Sequence, residues 1–448
     1  MLNSQLQYHL YAGYGPRRND LLPYQRLAHD FFIPDELREL AHKRNEATLQ
    51  VIPNSQLPTV EPYHTLVALD TTHHKSATVF GLPAWVYKAT NLKNGHTYCL
   101  RRIAGFRLTN EKAIKAAKEW RRVDSASVVG VIDCFTSRVF GDSSLIFVTN
   151  YHPLSKTLVE THFSTTGRYN NRGNSNVIPE HVLWGYTVQL ANAIKAVHAA
   201  NLAVRCMEPS KILVTEKARI RLGACAVLDV VQYDQTRPLL DLQQEDFVHF
   251  GKLMLALATN NLSIFTAQNL KPALDLLSRN YSPEFLDTVR WLLTPQSSKN
   301  IDEFIQGIAS HVALSLDASL HANDTLAGQM NHELENGRIA RLMMKLGAIN
   351  ERPEFDGEKD WSEVGERYCL KLFRDYVFHQ VDANGRPVVD VGHIIRCLNK
   401  LDVGSEEKVL LVTRDEMGGM VYSYRELNKL VQKSFNELTK PITGKGRY

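Results

Sequence analysis

The chain of 448 residues is too long for one small domain and suits two or three. It is 44% hydrophobic and 22% charged, an ordinary soluble composition. The 52 Lys and Arg against 48 Asp and Glu leave a formal charge of +4, which permits a local basic patch but does not by itself announce nucleic acid.

Residues 1–50 are mixed. Met1–Gln5 lacks a basic region followed by an apolar core, so no secretory signal is read there. Tyr8, Tyr11 and Tyr14, then Pro16–Arg17–Arg18, suit an irregular segment that could stack on RNA or pack on the next domain; both stay open. A short helix is predicted over 34–47, with acids in its first turn.

Residues 62–107 carry the alternation and β-branched content of strands. Thr65–Leu69, Ala84–Ala89 and Thr97–Ile103 are predicted strands, and Asn94–Gly95 is a hairpin signal between the last two. The set resembles the first three strands of a protein-kinase small lobe. In that frame Gly81–Ala89 matches the second half of a glycine-rich loop, and only Gly81 of the three glycines survives. Val79 and Ala84 stand at the others, and Pro83 removes an amide, so the loop should grip phosphates poorly. Arg101 falls where the phosphate-pairing lysine is expected; it keeps the charge and can bind phosphate bidentately.

Asn110–Arg122 is a predicted helix with Asn110 as its cap, in the place of the kinase helix that supplies a glutamate to that cation. The glutamate position falls near Ala116 without a gap, with Glu119 a turn further on, and the ion pair stays undecided. Val128–Ile132 and Leu145–Thr149 are the next strands. Asn150, Tyr151, His152, Pro153, Leu154, Ser155, Lys156 and Thr157 then occupy the hinge position, where backbone groups bind adenine and Ser155, Lys156 and Thr157 could reach ribose or phosphate. Residues 164–177 read as a loop. Pro179 opens a helix to His198 with a buried face of Leu183, Tyr186, Leu190, Ile194 and Val197.

The decisive stretch follows. Val204–Val214 has the spacing of the kinase catalytic loop, and Leu222–Ala226 that of the magnesium loop. Cys206 stands at the base position, Lys211 at the metal-binding Asn, and Ala224 at the metal-binding Asp. The oxygen ligands of a hard cation are gone, and Lys211 places a fixed positive charge where a metal would sit. From Ala226 to Asp246 there is no A-P-E anchor for a peptide substrate. Asp246–Gly251 resembles the start of a large-lobe helix, and Ser282–Pro295 the closing helices of that lobe.

Residues 302–349 carry no proline and read as a long helix, a coiled coil bent or broken near Gly337. Beyond it, helices are predicted over Trp361–His379, Asp390–Leu401 and Arg425–Leu438. A hairpin turns around Gly418–Gly419, and the end is a basic tail, Lys440–Tyr448. The six cysteines are scattered without a C-x-x-C, so neither a zinc site nor a small disulfide framework is indicated, and the histidines show no metal-ligand spacing. Reduced thiols and the absence of a ~18–20-residue apolar run make the cytoplasm the expected compartment.

The Asn150–Thr157 stretch, the degenerate Val204–Val214 and Leu222–Ala226 loops, and the helix with a compact tail domain together resemble the non-catalytic subunit of the Pan poly(A)-nuclease deadenylation complex, over about residues 50–448. The resemblance implies an α+β, two-lobed kinase-like fold (a pseudokinase), then a coiled-coil helix and a small C-terminal α/β knob domain. Its boundaries would be an N-terminal extension at 1–50, the pseudokinase at 51–300, the coiled coil at 301–350 and the knob at 351–448. It implies ATP bound without turnover or metal, at Arg101, Asn150–Thr157, Ser210 and Lys211. It also implies a homodimer through the coiled coil, recruitment of the catalytic nuclease subunit to poly(A) RNA, tryptophan-motif partners from microRNA-silencing scaffolds, and cytoplasmic P-bodies. A CCCH zinc finger and a segment for poly(A)-binding protein, usual upstream in that family, have no counterpart in these residues. An atypical active kinase, and a poly(A)-binding scaffold indifferent to nucleotide, are the alternatives.

Overall fold

Strands β1 (Tyr63–Ala68), β2 (Ala84–Asn91), β3 (Thr97–Ala104), β4 (Val131–Ser137) and β5 (Ser144–Asn150) form one antiparallel sheet, ordered β1-β2-β3-β5-β4. The computed structural model describes residues 35–70, 77–163, 177–235, 237–295, 298–332, 336–355, 365–415 and 417–439. The period-2 alternation of β5 splits its side chains between two cores: Leu145 and Phe147 join one, Ile146 and Val148 the other. A sheet covered on both faces explains why this strand reads as a continuous apolar run. The hairpin expected at Asn94–Gly95 is present, with Gly95 at φ +70°. The strand expected from Val128 begins three residues later, at Val131. Val128 instead bridges in parallel to Leu222, and the Val129 amide donates to the Leu222 carbonyl at 2.9 Å.

Two compact units divide the described residues, one within 39–321 and one within 322–439. Helix α1 (Asp35–Leu49) precedes the sheet, and from Glu39 onward it belongs to the first unit. Lys88 of β2, only 2% exposed, donates to the carbonyls of Ala47 (3.2 Å), Thr48 (2.9 Å) and Gln50, which the end of a helix leaves without internal partners. Arg44 reaches the Thr215 carbonyl at 3.4 Å and Glu216 at 3.2 Å. Helix α2 (Lys112–Glu119) buries Ala113 and Ala117, and Asn110 Oδ1 accepts its Lys112 amide at 2.9 Å. A 3-10 turn, Trp120–Arg122, continues it and buries Trp120.

The larger lobe holds a three-stranded sheet of β6 (Lys156–Thr157), β7 (Ile212–Glu216) and β8 (Arg219–Leu222), with helices α3 (Glu180–Ala199), α4 (Val227–Val231), α5 (Leu239–Thr259), α6 (Lys271–Asn280) and α7 (Pro283–Leu293). The five residues expected on the buried face of α3 are all buried. Helix α5 starts seven residues before the expected Asp246, after Pro238. The loop expected at 164–177 lies almost wholly outside the described residues, as do the Tyr8–Arg18 segment and the basic tail.

Where a long helix is expected over 302–349, the described residues form α8 (Ile301–Gly307), α9 (Ala309–His332) and α10 (Asn336–Phe355). A break that the sequence did not announce falls at Ile308, because Ile301, Phe304 and Ile308 turn into the core of the first unit; the one expected near Gly337 adjoins residues 333–335, which lie outside the described residues. Leu342, Leu346 and Ile349 of α10 lie in the core of the second unit with α11 (Glu366–Phe378), α12 (Val391–Val403), strands β9 (Lys408–Val412) and β10 (Gly419–Ser423), and α13 (Tyr424–Thr439). Asp390 caps α12 through the amides of Gly392 (2.8 Å) and His393 (3.2 Å). No helix among the described residues is long and apolar enough to cross a membrane.

Candidate functional site

Beneath the cleft a polar frame holds the Val204–Val214 loop. Asp246, fully buried on α5, accepts the backbone amides of Val204 (2.8 Å) and Arg205 (2.7 Å) and bonds His198 Nε2 at 2.9 Å. These bonds hold Arg205 at φ +60°, a left-handed conformation that costs a non-glycine residue about 1–3 kcal/mol unless its surroundings enforce it. The Arg205 side chain then pairs with Asp229 (2.9 Å) and Gln232 (2.6 Å), and Asp229 also accepts Trp120 Nε1 at 2.6 Å. The small lobe, the loop and α4 are thus tied through one carboxylate.

On that frame sit groups that cannot transfer phosphate. Cys206 is buried, and its thiol is pushed up to about 12, chiefly by burial and then by Glu208, against the opposing pull of Arg101 and Lys211. A neutral thiol has no capacity as a base at neutral pH. Ala224 and Cys225 are buried in the same core. The Gly223 amide donates to the Lys211 carbonyl at 2.9 Å, and a Cβ at 223 would meet that oxygen at 2.9 Å, so this close approach of the two loops requires glycine. No group of three metal-ligating side chains occurs among the described residues.

Of the residues expected to hold nucleotide, the structure brings Arg101 and Lys211 together. Arg101 is 9% exposed and donates to the Gly223 carbonyl at 3.1 Å. Lys211 is held below the ordinary lysine range by burial and then by the Arg101 charge. Both cations face the ring of Phe80, at 6.0 Å for Arg101 and 5.5 Å for Lys211. The helix-to-cation ion pair left open in the sequence is not made by Glu119, which pairs with Arg122 at 2.6 Å on the surface.

Other expected contacts are engaged elsewhere. Ser210 Oγ points to Glu208 at 3.4 Å. Thr157 is tied to Glu160 through its amide (2.6 Å) and hydroxyl (2.9 Å). Tyr151 donates to the Ala47 carbonyl of α1 at 3.4 Å, and Asn150 lies at the end of β5 with its amide on Gly130. His152 is pulled down to about 4, first by burial and then by Arg221, so it is neutral at pH 7. Pro153, Leu154, Ser155 and Lys156 complete the loop; Leu154 and Lys156 are exposed. Phe80, Asp229 and Trp120 were not legible in advance, since an aromatic in a degenerate loop and an acid on a short helix carry no spacing signal.

The Pan3 C-terminal knob domain family matches residues 301–438. A PAN2-PAN3 deadenylation complex subunit PAN3 from Coccidioides immitis is 54% identical over 441 residues, 97% of this chain and 67% of that protein. The chain belongs to the PAN3 family. The Emericella nidulans member is 52% identical over 441 residues, and the chain spans about two thirds of the length of both. A Neurospora crassa PAN3, solved as "pseudokinase and C-term" in complex with PAN2 (WD40-CS1), superposes with a TM-score of 0.76 at 45% identity, covering 91% of this chain and all of that one. The Drosophila melanogaster PAN3 pseudokinase gives 0.70 at 38% identity over 86% of this chain and all of that one. PAN3 is the regulatory subunit of the deadenylation complex, and the buried thiol and missing acids described above are the physical form of a pseudokinase.

Proposed function

We propose that this chain is a nucleotide-binding scaffold that dimerises and brings a PAN2-type nuclease to mRNA, promoting poly(A) tail shortening without chemistry of its own. The convergence of Arg101 and Lys211 on one aromatic ring, with no group of three metal-ligating side chains among the described residues, carries this reading. Two positive charges crowded in a partly buried cleft repel each other, and a polyphosphate relieves that repulsion while the two side chains neutralise its charge, as a metal otherwise would. ATP is then bound without a required metal. Titration of the full chain with ATP, with and without magnesium, tests it. Binding that persists in EDTA and is lost in Lys211→Ala supports the reading. An absolute magnesium requirement, or unchanged affinity in Lys211→Ala, overturns it.

Dimerisation through α9 is supported by Leu316, Leu320, Leu326 and Met330, between 49% and 63% exposed. At 100° per residue they fall within roughly 120° of one helix face, the apolar stripe of a helix that lacks a partner. Sedimentation of the wild type against Leu316→Asp/Leu320→Asp decides this: a dimer that becomes a monomer supports it, and a monomeric wild type refutes it. A PAN2-type nuclease is proposed as partner because the Neurospora homologue was solved with PAN2 over nearly the whole length matched here. Co-purification of the nuclease subunit with this chain checks that part. The cytoplasm and its P-bodies, poly(A) RNA and tryptophan-motif partners belong to the same reading and rest on the family resemblance.

A further inference from the structure

The ring between the two cations has a consequence for how the cleft is filled. Phe80 belongs to the degenerate glycine-rich stretch, whose tip folds as a tight turn with the Gly81 amide on the Ala77 carbonyl at 2.7 Å. An aromatic on such a loop would ordinarily lie in solvent, yet Phe80 is 3% exposed and belongs to the same core cluster as Ile103, Ala117, Leu222 and Ala224. Val79 and Leu82 pack against that core from either side. Arg101 and Lys211 both lie over the ring, an arrangement in which its electron-rich face partly replaces the water each cation has lost. Arg101 has a further partner in the Gly223 carbonyl. Lys211 has none: among the described residues its ammonium makes no hydrogen bond and has no carboxylate within ion-pair distance. A half-buried ammonium packed on an aromatic face next to a second cation, with the Glu208 and Asp70 charges acting on it only from beyond ion-pair distance, is a site that favours an anion.

We propose that Phe80 holds the phosphate end of the cleft shut in the ligand-free protein and must leave Arg101 and Lys211 before a nucleotide polyphosphate can reach them. The proposal rests on the nucleotide reading above and adds to it the residue that sets affinity. It also names the signal that nucleotide sends to the surface. The closed form lowers apparent affinity by the fraction of molecules in which the ring is already displaced. Binding then releases the 77–83 turn, so nucleotide occupancy becomes a change in the shape of the small-lobe surface.

Titration of ATP into the full chain, its Phe80→Ala and its Phe80→Leu forms tests this, with hydrogen exchange at the Gly81 amide as the second readout. Phe80→Ala should bind ATP about tenfold more tightly than the wild type, with Phe80→Leu between them. Exchange at Gly81 should quicken when wild-type protein is saturated with ATP. Binding seen only in Phe80→Ala supports the proposal as well. Equal affinity in all three overturns the role of Phe80 and leaves the nucleotide reading standing, whereas weaker binding by Phe80→Ala makes the ring part of the ligand cradle and overturns the shutter. No binding by any form, with folding confirmed by circular dichroism, overturns the nucleotide reading and this proposal with it. Should Phe80→Ala not fold, the exchange result on wild-type protein decides alone: slower or unchanged exchange at Gly81 under ATP refutes the release of the turn.

Discussion

Asp246 and Cys206 meet at one short stretch of backbone, the first as the acceptor of its Val204 and Arg205 amides and the second as the next residue along it, and they serve different ends. Asp246 keeps the acid that a kinase large lobe has there, with its carboxylate on the amides of Val204 and Arg205. One residue further along, the proton acceptor is replaced by a buried thiol, and across the cleft the metal-binding acid has become Ala224. The difference lies in what each side chain serves. Removing Asp246 strands two amides and an imidazole inside the protein, a cost that no neighbour offsets. Removing an acid whose work was to orient a substrate or hold a metal frees the fold of a desolvated charge, so an apolar or neutral replacement is tolerated. Activity can thus be lost at the rim while the frame beneath stays under structural constraint.

The sharpest way to break this contrast is at the frame. Asp246→Ala should destabilise the first unit by about 3–5 kcal/mol, because three buried donors lose their acceptor; urea unfolding measures it, and a loss under 1 kcal/mol would remove the basis of the comparison. Next is Trp120→Phe, which keeps the ring but drops the indole bond to Asp229. A bond to a charged acceptor is worth roughly 1.5–3 kcal/mol, so the melting temperature should fall by several degrees with no change in dimerisation. Cys206→Ala should cost only about 1 kcal/mol, the ordinary price of a small buried truncation, and should leave ATP affinity within twofold. A large affinity change would mean that the thiol contacts ligand.

The smallest effect is in pH. The folded chain holds His152 at about 4 against an ordinary 6.5, so the unfolded chain takes up the proton first on acidification. The resulting stability is fully present above pH 6.5 and drains away as pH falls towards 4. His152→Gln should flatten the loss of melting temperature over that window. Equal slopes in the two proteins would show that the hinge imidazole is solvated.

Spacing and residue type alone carry the kinase frame, its missing acids and most elements. The α3 face and the Asn94–Gly95 hairpin were legible because each rests on a period or a turn chemistry that is local. The extent of the helix over 302–349 was not. Its apolar residues read as an imperfect stripe with a bend or break near Gly337, whereas Phe304 and Ile308 serve one core and Leu342, Leu346 and Ile349 another. Periodicity reports that a face is buried without saying against what. The role of α1 was equally hidden, since nothing in Lys88 announces that it caps a helix 40 residues away.

By itself the sequence determined that the kinase positions for a base and two metal-binding oxygens are held by Cys206, Lys211 and Ala224, none of which can supply them. Only the tertiary structure decided what fills the resulting space. Which side chain enters a cleft depends on packing between residues far apart in the chain, and here that packing set Phe80 on Arg101 and Lys211, a contact across 131 positions of sequence that no local pattern encodes.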